Sequence, residues 1–164
     1  MRKHLLVVTA ACFLTAHFAF ARLVQIPTYK EMTDKADLIV IATPTGSVEL
    51  EGRATFPGIG YSDAQGKMHD LAAIQIETTF RPIALLKGKL PENAAAFKLL
   101  HFKLVNPEEG ARNGPNVVAF DPAQRAQYLM FLKLRPDGSY EAYSGQTDPA
   151  YSVEKLGQTA MPSQ

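Results

Sequence analysis

Hydrophobic and polar positions alternate most cleanly from Ile74 to Arg81: Ile74, Ile76, Thr78 and Phe80 share one parity, and Gln75, Glu77, Thr79 and Arg81 the other. A period of two puts the first set on one face of a strand and the second in water, so a half-buried β-strand is expected here. Pro82 has no N–H to give to a ladder, which predicts a bulge or bend before Ile83–Leu86 resume the strand; Lys87-Gly88-Lys89 reads as its closing turn. Upstream, Leu38-Ile39-Val40-Ile41-Ala42 is apolar without alternation, the pattern of a central strand covered on both faces. Thr28 with Glu31 three residues on can satisfy the first free amides of a helix reciprocally, so a short helix to about Lys35 is expected to lead into that strand.

Other stretches break the alternation. Residues 51–70 contain Gly52, Pro57, Gly58, Gly60 and Gly66 with little periodicity and read as a long exposed loop or a loosely paired hairpin. In Phe97–Leu104 the apolar positions change parity, from Phe97 and Leu99 to Leu100, Phe102 and Leu104, which predicts a bulged or strongly coiled strand. Residues 106–116 form a second polar loop, followed by the short run Val117–Phe120. Asp121-Pro122-Ala123-Gln124 carries a capping Asp and a Pro at the first helical position, enough for one helical turn. Tyr128–Leu134 and Tyr140–Tyr143 flank Pro136-Asp137-Gly138, a strong hairpin signal. From about Thr147 the chain reads as an irregular tail, packing in part through Tyr151, Val153 and Leu156. The expected fold is mainly β: a small antiparallel OB-like barrel of five or six strands with one short N-terminal helix. An open sandwich competes, but its turns would be more regularly spaced.

Composition changes the picture at the N-terminus. Arg2 and Lys3 precede an apolar run from Leu5 to Phe20 that ends in Ala19-Phe20-Ala21, the order of a cleavable export signal over residues 1–21 with the cut after Ala21. A membrane anchor would need about 20 apolar residues, more than this run offers. Cys12 lacks the large aliphatic residue that precedes a lipid-bearing cysteine. The expected mature chain, residues 22–164, is one secreted or periplasmic domain with no membrane span. Cys12 is the only cysteine, so removal of the signal also removes disulfides, thiolate metal sites and cysteine nucleophiles. At 143 residues, the remainder is long enough to fold by burial alone. It carries 15 Lys and Arg against 16 Asp and Glu, which gives no long-range attraction for nucleic acid.

A short helix entering Ala36-Asp37-Leu38-Ile39-Val40-Ile41-Ala42, an alternating strand entering Ile83-Ala84-Leu85-Leu86-Lys87-Gly88, and Tyr128-Leu129-Met130-Phe131-Leu132 before a Gly-turn hairpin are similar to a group of exported bacterial domains. Those domains resemble the netrin-like and metalloproteinase-inhibitor (TIMP-like) OB-fold barrels, and the resemblance covers about Thr28–Ser144. It implies a five-stranded OB-like barrel with a binding role. Inhibitors of that fold chelate a target's zinc through an N-terminal cysteine, whereas the expected first residue here is Arg22, so no functional residue carries over.

Candidate chemistry is sparse. His69-Asp70 in the first loop and His101 in a strand are the only histidine sites left after cleavage, too few ligands for a metal centre. Gly60-Tyr61-Ser62-Asp63-Ala64 approaches a nucleophile-elbow spacing but lacks its strand and helix flanks. Asp63, Asp70, Glu108 and Glu109 read as solvated loop carboxylates, and Gly52–Gly66 lacks the Lys and Ser or Thr of a phosphate loop. The aromatics and lysines of Phe97–Lys103 and Phe131–Lys133 read as the two faces of strands rather than as base-stacking platforms. No catalytic, cofactor-binding or metal-binding residue is assigned. The leading expectation is an exported, non-enzymatic module that recognises a protein or cell-envelope partner through residues 51–70 and 106–116. A small exported hydrolase or metal-dependent enzyme using His69 and Asp70, and a structural envelope component, are the alternatives.

Overall fold

The Thr28 hydroxyl accepts from the Glu31 amide and opens helix α1, Tyr29–Lys35, as the capping pair predicts. The computed structural model describes residues 26–63, 65–91, 94–106 and 117–158; the expected export signal and residues 107–116 of the second loop lie outside them. After α1 come β1 (Leu38–Glu49), β2 (Ala54–Ser62), β3 (Met68–Lys87) and β4 (Phe97–Leu104). A single 3₁₀ turn (Pro122–Gln124) then precedes β5 (Ala126–Leu134), β6 (Tyr140–Ala142) and β7 (Val153–Gln158). The Asp121 carboxylate caps that turn by accepting from the Ala123 amide.

Five of the seven strands close a barrel in the order β1, β3, β4, β6, β5 and back to β1. This is an OB-like Greek-key barrel with one short helix outside it. One join departs from the antiparallel expectation: β4 meets β6 in parallel at Leu99 and Tyr140. β1 has neighbours on both edges, β3 and β5, and is buried on both faces along Leu38–Pro44 except at the half-buried Ile41. Its inward residues Leu38, Val40 and Ala42 join the barrel core, while Ile39 packs outward with Met32 of α1 and Ala36, which caps the helix. The ladder passes from Ile41 opposite Ala84 to Ala42 opposite Pro82, so Ile83 is the bulged residue that Pro82 predicts. The Pro136–Gly138 hairpin also forms, with Gly138 at φ +82°.

Of the two readings of residues 51–70, a loop or a loosely paired hairpin, the hairpin is the one found: β2 pairs with the start of β3 with an irregular register between Thr55 and Gly60, and the turn between them is held by the Asp63 carboxylate, which accepts from the Gln65 and Lys67 amides. Two expectations need correction. The parity change in β4 is not a bulge, because its register with β3 runs unbroken from Phe97 opposite Phe80 to Leu104 opposite Ala73. Phe97, Leu99 and His101 instead face the barrel interior, and Phe102 and Leu104 face a second small core with Phe56, Leu71 and Ala73 of the β2–β3 hairpin. Finally, the part of the tail from Val153 to Gln158 is a strand, since β7 pairs with β5 from Met130 opposite Val153 to Ala126 opposite Gln158. Val153 packs on the barrel core, but Tyr151 and Leu156 are exposed.

β7 is anchored by Asp148, only 4% exposed. Its Oδ1 accepts from the Ser152 amide (2.7 Å), the Ser152 hydroxyl (2.5 Å) and the Ser144 hydroxyl, and its Oδ2 from the Val153 amide (2.9 Å). A carboxylate buried without such donors would cost several kcal/mol, of order 5. Saturated with them, it fixes where the seventh strand begins.

Candidate functional site

An aromatic group fills the barrel interior. Phe80 stacks on Phe97 (5.5 Å between ring centres), and Phe120 meets Phe80, His101 and Tyr128 edge to face at 4.8, 5.1 and 5.1 Å. Phe120 reaches these rings from the irregular run Val117–Phe120, which Gln146 ties down. Buried Gln146 donates through Nε2 to the carbonyls of Phe102 (3.0 Å) and Val118 (2.8 Å), and its Oε1 accepts from the Phe102 amide. The Val118 amide donates to the Gln146 carbonyl. One side chain thus takes the place of a ladder between β4 and a segment that is not a strand.

Beside this group opens a cleft of about 480 Å³, within the size range of small-ligand sites. Ile76, His101, Phe102, Leu104, Val117 and Phe120 line it, with Ser47, Glu49 and Lys103 among the polar residues at its walls. Lys103 and Glu49 approach to 3.5 Å, but both side chains are more than half exposed, so the pair contributes little.

A hydroxyl chain leads from the cleft into the barrel. Ser47 Oγ and Thr78 Oγ1 lie 2.7 Å apart, and Thr78 Oγ1 and His101 Nε2 2.8 Å apart. Thr78 is fully buried and His101 is 5% exposed. Burial among rings pushes the His101 pKa down to about 4, and the Val118 carbonyl, already accepting from Gln146, opposes this only in part. His101 is therefore neutral at neutral pH, and its Nδ1 is buried with no hydrogen bond of good geometry to a described residue. The serine reaches the histidine through Thr78, and among the described residues no carboxylate orients the ring. A serine nucleophile needs direct contact with its base and an orienting third group, so these residues do not form a catalytic triad.

His69 and Asp70 are not brought together. Successive residues of a strand point to opposite faces, and His69 instead gives its Nε2–H to Asp63 Oδ2 at 2.7 Å across the hairpin turn. That bond, with the turn amides, holds the Asp63 carboxyl below its ordinary range. His101 is opposite Ile76, seven residues along β3 from His69, about 23 Å of extended strand and on the other face. The two histidines share no site, and among the described residues no three His, Cys, Asp or Glu side chains gather to hold a metal ion. Gly60–Ser62 is strand followed by the Asp63 turn, without the strand-to-helix corner of a nucleophile elbow. Among the described residues no helix is long and apolar enough to cross a membrane.

Sequence reading missed Ser47, Thr78, Phe120 and Gln146. Alternation puts Thr78 on the buried face of its strand, but nothing in its spacing marks it as the partner of a histidine on another strand. Gln146 lies in a turn-like polar stretch where burial leaves no local signal. No family model matches the chain, and no curated protein matches it.

Proposed function

We propose that this chain is an exported, non-enzymatic binding module that takes the apolar part of a cell-envelope ligand into the cleft beside His101. The observation that carries it is the cleft itself, a ligand-sized, largely apolar opening. Its back wall is fixed by Gln146 and its floor is a ring neutral at neutral pH. Rigid backing of this kind lowers the ordering cost of binding, and an uncharged floor accepts apolar groups without desolvating an ion. Export is supported by the charge and hydropathy order of residues 1–21, and a compact binding scaffold by the OB-like barrel itself. Recognition therefore moves from the two expected loops to the barrel surface next to them: residues 51–70 form a hairpin whose small core shares Phe102 and Leu104 with the cleft. The hydrolase alternative loses its motivation, because Asp70 is not the partner of His69.

The test uses a neutral apolar fluorophore, N-phenyl-1-naphthylamine. Saturable binding to the purified protein is expected, weakened about tenfold or more by Val117→Asp, which puts a charge in the cleft wall. Val117 is 41% exposed, so the fold should survive with an unchanged melting temperature. Equal binding by the variant would count against this site.

A further inference from the structure

A second cleft, of about 380 Å³, lies where β1, β3 and the 3₁₀ turn meet, lined by Thr43, Pro44, Thr45, Arg81, Pro122 and Arg125. We infer that it is an anion site, built to take a phosphate group on Arg81 and Arg125. This inference does not depend on the apolar cleft, which shares none of its lining residues.

Each arginine is delivered by a feature that the fold alone does not require. Arg81 stands opposite Thr43 in the ladder, immediately before Pro82 and the bulge at Ile83. Bulges re-aim side chains next to sites. Arg125 caps the 3₁₀ turn in the left-handed region, at φ +48°, where glycine or asparagine is the ordinary choice. A non-glycine residue held there stores strain, and such strain concentrates at ligand-binding positions.

The lining fits an anion and not a cation. Two arginines line the opening, and no carboxylate lines it among the described residues. Thr43 is 6% exposed, and its hydroxyl makes no hydrogen bond to a described residue, so it can donate to a bound oxygen. The Thr45 hydroxyl already donates to the Thr79 carbonyl and acts as wall. Pro44 and Pro122 stiffen the sides. A phosphate can accept from both arginines with two forked, charge-assisted contacts, which a single surface lysine cannot reproduce. A phosphate group can arrive free or on a lipid headgroup, and the chemistry at the arginines is the same for both.

Titration calorimetry of the purified protein at low salt, with inorganic phosphate, glycerol phosphate and phosphatidylglycerol vesicles in separate arms, tests it. Phosphate-dependent heat that exceeds chloride at equal ionic strength is expected in at least one arm, weakened about tenfold or more by Arg81→Gln and by Arg125→Gly. Arg125→Gly removes the guanidinium while suiting the left-handed backbone, so it should fold at least as stably as the parent, which separates loss of binding from loss of structure. Binding in the vesicle arm alone assigns the group to a headgroup, and binding of the soluble phosphates assigns it to a free ligand. No preference over chloride in any arm, or binding unchanged in both variants, would overturn the proposal.

Discussion

At the scale of single residues, His101 is the side chain that most clearly ties structure to a measurable property. Its pKa falls from the ordinary 6.5 to about 4 because the charged ring would sit among Phe120 and its aromatic neighbours. The unfolded chain therefore binds a proton between these two values that the folded chain refuses. The sign follows directly: stability is unaffected above about pH 6.5, declines as the pH drops, and by about pH 4 has lost about 3 kcal/mol from this residue alone. Denaturant unfolding at about pH 7 and pH 4 should show this loss in the parent and a smaller one, by roughly that amount, in His101→Gln. The same decline in both would mean that the histidine is not buried as described. Residue-scale signals were only partly legible. Thr28 with Glu31, Asp121 with Pro122, and Gly138 each act on chain neighbours within a few residues, and those could be read. The Thr78–His101 contact joins residues 23 positions apart, and nothing local encodes it.

At the scale of elements, the tail is the clearest case of a strand that the pattern concealed. Val153–Gln158 alternates weakly, with Leu156 and Lys155 both exposed, so its pairing rests on backbone ladder bonds and on the Asp148 anchor. Asp148→Ala removes an acceptor shared by two amides and two hydroxyls and should destabilise the protein by about 2–4 kcal/mol. Amide hydrogen exchange should then show β7 protection lost while β3 and β4 keep theirs. Uniform loss across all strands would contradict a locally anchored tail. β4 misled for a different reason. Alternation tells which residues share a face but not how many faces are covered, and the β2–β3 hairpin covers the outer one at Phe102 and Leu104. Its glycines and Pro57 leave loop and loosely paired hairpin equally open; the hairpin forms, and in it Gly60 approaches His69 too closely for any side chain: a Cβ there would stand 2.6 Å from the His69 carbonyl oxygen.

At the scale of the whole molecule, the barrel was legible because four of its five closing strands carry their own evidence: an apolar run in β1, alternation in β3, and a turn-flanked hairpin in β5 and β6. Its closure was not, since the parallel join of β4 to β6 rests on one bridge, Leu99 with Tyr140, backed by the Phe97–Tyr140 ring contact at 5.7 Å. Both clefts form where elements distant in the chain converge, at β1, β3 and the run from Val117 to Arg125. Packing and the hydrogen bonds of Gln146 hold the walls of the larger cleft in place. The claim that recognition belongs to the cleft beside His101 is tested most directly by methyl-resolved NMR during titration with N-phenyl-1-naphthylamine. Saturable shifts are expected at Ile76, Leu104 and Val117, with Leu134 and Leu156 unmoved; saturation at Leu134 or Leu156 instead, or no saturable shift at all, would contradict it.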